Sequence, residues 1–171
     1  MIFLVSGKAG SGKSTFAELL ADQLDNSLII NYADLVKYIA KTYYNWNGEK
    51  DESGRALLQE IGTERGRKHV DEDIWITMTA NIISVLSNKY NNFIIADCRF
   101  PNEIDYWYSK KYDVYSIRIE RPNYKNNLTE EQNLHESETA LDDYNFDYIV
   151  ENSGTLEDLH DTAIAILEDI H

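Results

Sequence analysis

The chain has 171 residues, enough for one domain with a real core, and its 43% hydrophobic and 27% charged residues are ordinary for a globular protein. A formal net charge of −14 argues against a nucleic-acid polymer as the main partner, because a phosphate backbone needs a basic surface. It leaves room for a small phosphorylated ligand, which needs only a local basic focus.

Residues 2–5 predict an apolar strand, and residues 16–24 predict a helix. Between them Gly7-Lys8-Ala9-Gly10-Ser11-Gly12-Lys13-Ser14 fits G-x-x-x-x-G-K-[ST], with Thr15 following. That strand–loop–helix context makes the pattern a phosphate site. Its glycines let backbone N–H groups close on phosphate oxygens, and the helix N-terminus adds partial positive charge. Lys13 can reach the β- and γ-phosphates, and Ser14 can offer its hydroxyl to Mg²⁺.

Residues 27–32 (SLIINY) predict a second strand, and residues 34–44 a helix with Leu35, Ile39 and Tyr43 at helical spacing. Residues 45–54 predict a polar loop. Residues 55–68 and 71–89 predict two further helices, the second carrying Ile74, Met78, Ile82 and Leu86 on one face. Residues 92–97 (NFIIAD) predict a compact strand ending in Asp97, followed by a helix that begins at Pro101. Residues 113–121 predict a strand ending at Arg121. Residues 123–133 predict a polar, mobile excursion, and residues 135–141 a short helix. Residues 148–151 predict the last strand, and residues 156–170 a closing amphipathic helix.

Strands alternating with helices predict an α/β protein of the P-loop NTPase type, three-layered, with a central five-stranded parallel sheet. One domain is expected over residues 1–171. Ligands of such sheets lie at the carboxyl ends of the strands, so Gly7, Tyr32, Asp97 and Arg121 should converge. Asp97 is placed to hold Mg²⁺ together with Ser14, and the planar fork of Arg99 suits a bidentate grip on phosphate. Surface pairing of Arg99 with Glu103 is the structural alternative.

No apolar run approaches the roughly 18 residues of a membrane span. No basic segment precedes the first strand, so no signal peptide is expected. Cys98 is the only cysteine, which rules out an internal disulfide and points to a reducing, cytoplasmic setting.

Several segments together resemble the bacteriophage-type deoxynucleoside monophosphate kinases, within the wider nucleoside monophosphate kinase group. They are GKAGSGKST, Ala33-Asp34-Leu35-Val36-Lys37, residues 57–64 (LLQEIGTE), Asp73-Ile74-Trp75, residues 97–103 (DCRFPNE), residues 118–122 (RIERP) and His135-Glu136-Ser137-Glu138. The resemblance runs from about residue 2 to residue 156. It implies phosphoryl transfer from ATP to a dNMP with Mg²⁺ as cofactor. Gly7, Lys8, Ala9, Gly10, Ser11, Gly12, Lys13, Ser14 and Thr15 would bind ATP, with Arg121, Asn152 and Gly154. Asp34, Lys37, Gln59, Arg67, Trp75, Arg99 and Glu138 would bind the acceptor. Lys13, Arg99 and Arg121 would carry catalysis, and Ser14 and Asp97 the metal.

The resemblance also implies a helical acceptor cap near residues 45–70 and a short lid near residues 122–135, both closing to exclude water. The setting is the cytoplasm, that of the host if the gene is a phage's. A homodimer is left open, and no membrane partner is expected.

The residues of this chain temper some roles. Trp75 stands among Ile74 and Met78, which favours a core position over base stacking. Glu138 is read either as orienting an arginine such as Arg99 or as capping a helix. The lid candidate carries only Lys125 as a cation. Two rival functions stay open here: a kinase for another small phosphorylated acceptor, phosphomevalonate-like, and a non-catalytic nucleotide-binding module. The acceptor clamp of Lys37, Arg67 and Arg99 speaks against a pure switch.

Overall fold

A computed structural model describes residues Met1 to Ile170. The strands are β1 (Ile2–Ser6), β2 (Ser27–Ile29), β3 (Asn92–Cys98), β4 (Val114–Glu120) and β5 (Tyr148–Glu151). The α-helices are α1 (Lys13–Gln23), α2 (Ala33–Tyr43), α3 (Glu52–Gln59), α4 (Ile74–Leu86), α5 (Pro101–Tyr108), α6 (Glu130–Leu134), α7 (Glu136–Thr139) and α8 (Leu156–Ile170). A π-helical segment, Glu60–Val70, lies between α3 and α4. The chain forms two compact units, one joining Met1–Ile29 to the stretch from Ser87 onward, the other comprising Ile30–Leu86. The helical segment expected over residues 45–70 is thus part of a longer unit. None of the described helices is long and apolar enough to cross a membrane.

The first unit is built on the five-stranded sheet, all parallel, in the order β2-β3-β1-β4-β5. Helices cover both faces, as the run-on apolar strands require. Phe3, Val5, Ile94, Ala96, Ile117, Ile119 and Val150 turn one face toward Phe16, Ala17 and Leu20 of α1 and Leu159, Ala163 and Ile166 of α8. Strand periodicity sends the intervening Leu4, Ile95 and Ser116 to the opposite face. On that side α5, with Ile104 and Trp107 buried, packs against β4. Strand β1 is flanked by β3 and β4, so the residues just past these three strands share one end of the sheet. This is the crevice where open α/β sheets bind ligands.

Three expectations are corrected. The second strand stops at Ile29 rather than running to Tyr32. The chain turns there because the Asp34 carboxylate accepts the Asn31 N–H at 2.9 Å and starts α2. The excursion expected over residues 123–133 is not loop throughout: its end overlaps α6, whose start is a capping box. Thr129 Oγ1 accepts from Gln132 N at 3.2 Å, and Gln132 Oε1 accepts from Thr129 N at 3.2 Å. Residues 55–68 do not form one α-helix. The backbone changes after Gln59 to π-type turns, and Asp71 N still donates five residues back, to Gly66 O, at 3.1 Å.

The second unit explains that change. The buried Trp75 donates its indole N–H to Gly62 O at 2.7 Å, drawing on a helix carbonyl from the side. Its ring lies against Gly66, where a Cβ would come within 2.7 Å of Trp75 Cζ2. Two glycines also lower the α-helical preference of the segment. A wider helix accommodates the inserted ring.

Candidate active site

The phosphate loop leaves β1 at Gly7 and enters α1 at Lys13. Gly12 sits at φ 103°, a left-handed conformation, and a Cβ there would stand 2.4 Å from Asn152 Nδ2. Asn152, just past β5, donates that amide to Ser11 O at 2.9 Å, while its own N–H reaches Glu120 O at 2.7 Å. Its side chain therefore braces the loop. Gly154 lies beside the Asp158 carboxylate, which accepts from Thr155 N at 2.7 Å and starts α8.

Lys13 folds back over the loop. Its Nζ donates to Gly7 O at 2.7 Å and to Lys8 O at 2.8 Å. Burial, and then the positive charge of Arg99, push its ammonium down to about 7; Glu138 and Asp97 pull the other way, and Arg118 adds to the lowering. The same five charges therefore share one electrostatic environment in the first unit. Ser14 and Thr15 are exposed in the first turn of α1.

Asp97 is the penultimate residue of β3 and is half-buried. The strand ends at Cys98, whose buried thiol is pushed up by burial. Arg99 is the first residue past the strand. Glu103, in the first turn of α5, accepts from Arg99 N at 2.6 Å and from Phe100 N at 3.1 Å. Glu103 is thus a backbone cap and not the partner of the Arg99 guanidinium. That partner is Glu138, reached through Nη1, which also approaches Ser137 O at 3.3 Å. The second Glu138 oxygen accepts the backbone N–H of Ala9 at 3.0 Å.

Arg121 follows β4 and is exposed. Its Nη1 approaches Gly10 O at 3.4 Å, and its guanidinium lies 4.4 Å from the Tyr124 ring centre. Tyr124 in turn covers Gly10 closely, for a Cβ there would meet its ring at 2.3 Å. Arg118 is buried, held by Asp142 at 3.0 Å. Asp142 also accepts from Lys8 Nζ at 2.9 Å. A cavity of about 260 Å³ opens between the loop and these residues, lined by Lys8, Ala9, Ser11, Arg118, Arg121, Tyr124 and Asn126 among others. The Ser11 hydroxyl at its wall is buried, with no hydrogen-bond partner among the described residues.

In the second unit, Lys37 pairs with Asp34 at 2.9 Å, three residues earlier on α2. Gln59 closes α3. Arg67 is buried on the π segment, with Glu72 at 3.8 Å, and Trp75 is buried against that segment. His135 caps α7, its Nδ1 accepting from Ser137 N at 3.2 Å.

Sequence reading passed over Asp142 and Tyr124. Nothing local separates Asp142 from the adjacent Asp143, or Tyr124 from the other tyrosines. Only the fold brings one to Lys8 and Arg118, and the other to Gly10.

A glycine-rich loop between β1 and α1, backed by a half-buried lysine and flanked by arginines past β3 and β4, defines a P-loop phosphotransferase. Solved structures share this fold. TT1252 from Thermus thermophilus matches with TM-score 0.60 at 18% identity, covering 100% of this chain and 98% of its own. Shikimate kinase from Aquifex aeolicus matches with TM-score 0.54 at 19% identity, over 99% and 97%. Thymidylate kinase from Ehrlichia chaffeensis matches with TM-score 0.51 at 15% identity, over 98% of each chain. Comparison with curated proteins gives no match. The family model of deoxynucleotide monophosphate kinase matches residues 29–163, and the chain belongs to that family. It is a kinase that phosphorylates nucleoside monophosphates.

Proposed function

We propose that the donor is ATP, that Mg²⁺ accompanies it, and that the acceptor is a deoxynucleoside 5′-monophosphate, which leaves as the diphosphate. The observation that carries this reading is that Lys13 lies over the phosphate loop at Gly7 and Lys8 while Glu138 holds Arg99 against the same loop at Ala9. The Ser14 hydroxyl and the Asp97 carboxylate are hard oxygen donors and fit Mg²⁺, which would neutralise phosphate charge when bound. The orphaned Ser11 hydroxyl in the cavity wall is a polar group that a ligand seated there can satisfy.

In this reading Lys13 and Arg121 grip the donor phosphates, and Arg99 faces the group in flight. The acceptor phosphate is largely a dianion near neutral pH, its second pKa being about 6. No side chain needs to act as general base, and alignment with charge neutralisation carries the reaction. We assign the acceptor phosphate to Lys37 and Arg67. Asp34 then orients Lys37, Gln59 contributes a polar contact, and Trp75 supports the π segment that carries Arg67. Asn152 holds the loop against β5, and the Gly154 backbone lies along the donor base. The segment near residues 122–135 serves as a lid through Tyr124. A cytoplasmic setting and a phage gene as the source belong to the same reading.

Coupled ADP release with ATP, varying each dNMP and NMP in turn, tests the assignment. Turnover with at least one dNMP, dependent on Mg²⁺, is expected. Turnover only with a non-nucleotide phosphorylated acceptor, or none without added nucleic acid, would sink it.

A further inference from the structure

We propose that Glu138 is a positioning residue, its one carboxylate tying the Arg99 guanidinium to the phosphate loop at Ala9 and so setting the angle at which Arg99 meets the transferring phosphoryl group. The inference rests on the reading of Arg99 given above.

The geometry separates this role from that of an acceptor ligand. Both Glu138 oxygens are engaged inside the first unit, one by Arg99 Nη1 and the other by Ala9 N at 3.0 Å. The carboxylate side chain is only 7% exposed. A carboxylate accepts hydrogen bonds and repels an incoming phosphate dianion, so it is a poor direct ligand for the acceptor phosphate. Arg99, by contrast, is 29% exposed. Its contacts with Glu138 and Ser137 O both run through Nη1, which leaves the other edge of the planar fork for a phosphate. The backbone of Arg99 is set separately, by Glu103 on its N–H. Backbone and guanidinium are therefore fixed by two different acids. The Glu103 contact spans four residues and is local, whereas Glu138 comes from 39 residues away. Because Glu138 also holds Ala9, a shift of the guanidinium and a shift of the loop are one event and not two. Asp142 makes a similar link, joining Lys8 of the loop to Arg118 of β4.

The test is a double-mutant cycle on kcat with Arg99→Ala, Glu138→Gln and the pair, each checked for an unchanged melting temperature. Arg99→Ala should lower kcat strongly. Glu138→Gln, which keeps shape but loses charge, should lower kcat roughly 10- to 100-fold, the cost of a misplaced catalytic group, with KM for dNMP nearly unchanged. The double variant should be no slower than Arg99→Ala alone, since one residue acts through the other. Added guanidinium ion should restore part of the turnover of Arg99→Ala, where the Glu138 carboxylate can still seat it, and none in the double variant. Should Glu138→Gln fold poorly, Glu138→Asp retracts the charge by one methylene and is expected to show the same loss of kcat. Additive losses, or a Glu138 variant that raises KM for dNMP while kcat holds, would overturn the proposal. Normal kcat in Arg99→Ala would instead remove the Arg99 reading itself, and the proposal with it.

Discussion

In the sheet unit, candidate residues find their partners far along the chain. Lys8 meets Asp142, Ala9 meets Glu138, Ser11 O meets Asn152, and Arg99 meets Glu138. In the helical unit, Lys37 meets Asp34 three residues away, Arg67 has Glu72 five residues on, and Trp75 reaches Gly62 thirteen residues back. The first arrangement exists only when the parallel sheet is assembled, and its charges then act on one another. In the second, these three contacts join residues close along the chain. Substitutions in the sheet unit should therefore strike chemistry and depend on each other. Those in the helical unit should strike binding or stability.

The sharpest way to break that contrast is Lys13→Ala. It removes the charge that lies over the loop and should lower kcat roughly 100- to 1,000-fold, as for loss of one preorganised electrostatic donor. Circular dichroism should stay that of the wild type. Near-normal turnover would mean that the loop binds no reacting phosphate.

Next come Lys37→Ala and Arg67→Ala, each assayed with one substrate varied at a time. On the proposed assignment each removes a charge-assisted contact of about 1.5 kcal/mol or more, so KM for dNMP should rise about tenfold while KM for ATP holds. A selective rise in KM for ATP would exchange the donor and acceptor assignments of the two units.

A pH profile sharpens the sheet side. The Lys13 ammonium is pushed down to about 7, first by burial and then by Arg99. On the proposed assignment its charged form grips phosphate, and that form is lost as pH rises through about 7. In the free enzyme, kcat/KM for ATP should fall above about pH 7, by up to about tenfold per pH unit. Bound phosphates raise the lysine again, so kcat should hold to higher pH. A flat kcat/KM up to pH 9 would show that Lys13 keeps its charge without nucleotide.

The smallest effect on activity belongs to Gly66→Ala. The new methyl would lie 2.7 Å from Trp75 Cζ2 and 2.9 Å from Ile61 O. Overpacking of this kind costs about 1–3 kcal/mol, to be read from urea unfolding, with kcat close to normal. Loss of kcat without loss of stability would place the π segment in the chemistry.

Local patterns in the chain carried much of this. The loop from Gly7 to Ser14, the acid Asp97 at a strand end and the arginines after β3 and β4 are legible because a strand, a tight turn and a helix each have their own periodicity and turn chemistry. The Thr129–Gln132 capping box was equally local and readable, although the polar composition around it suggested a mobile stretch. The π segment was hidden because its apolar spacing resembles that of an α-helix, and the cause lies in Trp75, outside the segment. The choice of Glu138 for Arg99, and of Asp142 rather than Asp143 for Lys8 and Arg118, was decided by tertiary structure alone. Those pairings follow from the strand order β2-β3-β1-β4-β5, which gathers the ends of β1, β3 and β4 from distant parts of the chain. A charge on a sequence is only a candidate; the partner that aims it is selected by which backbones the parallel sheet sets side by side.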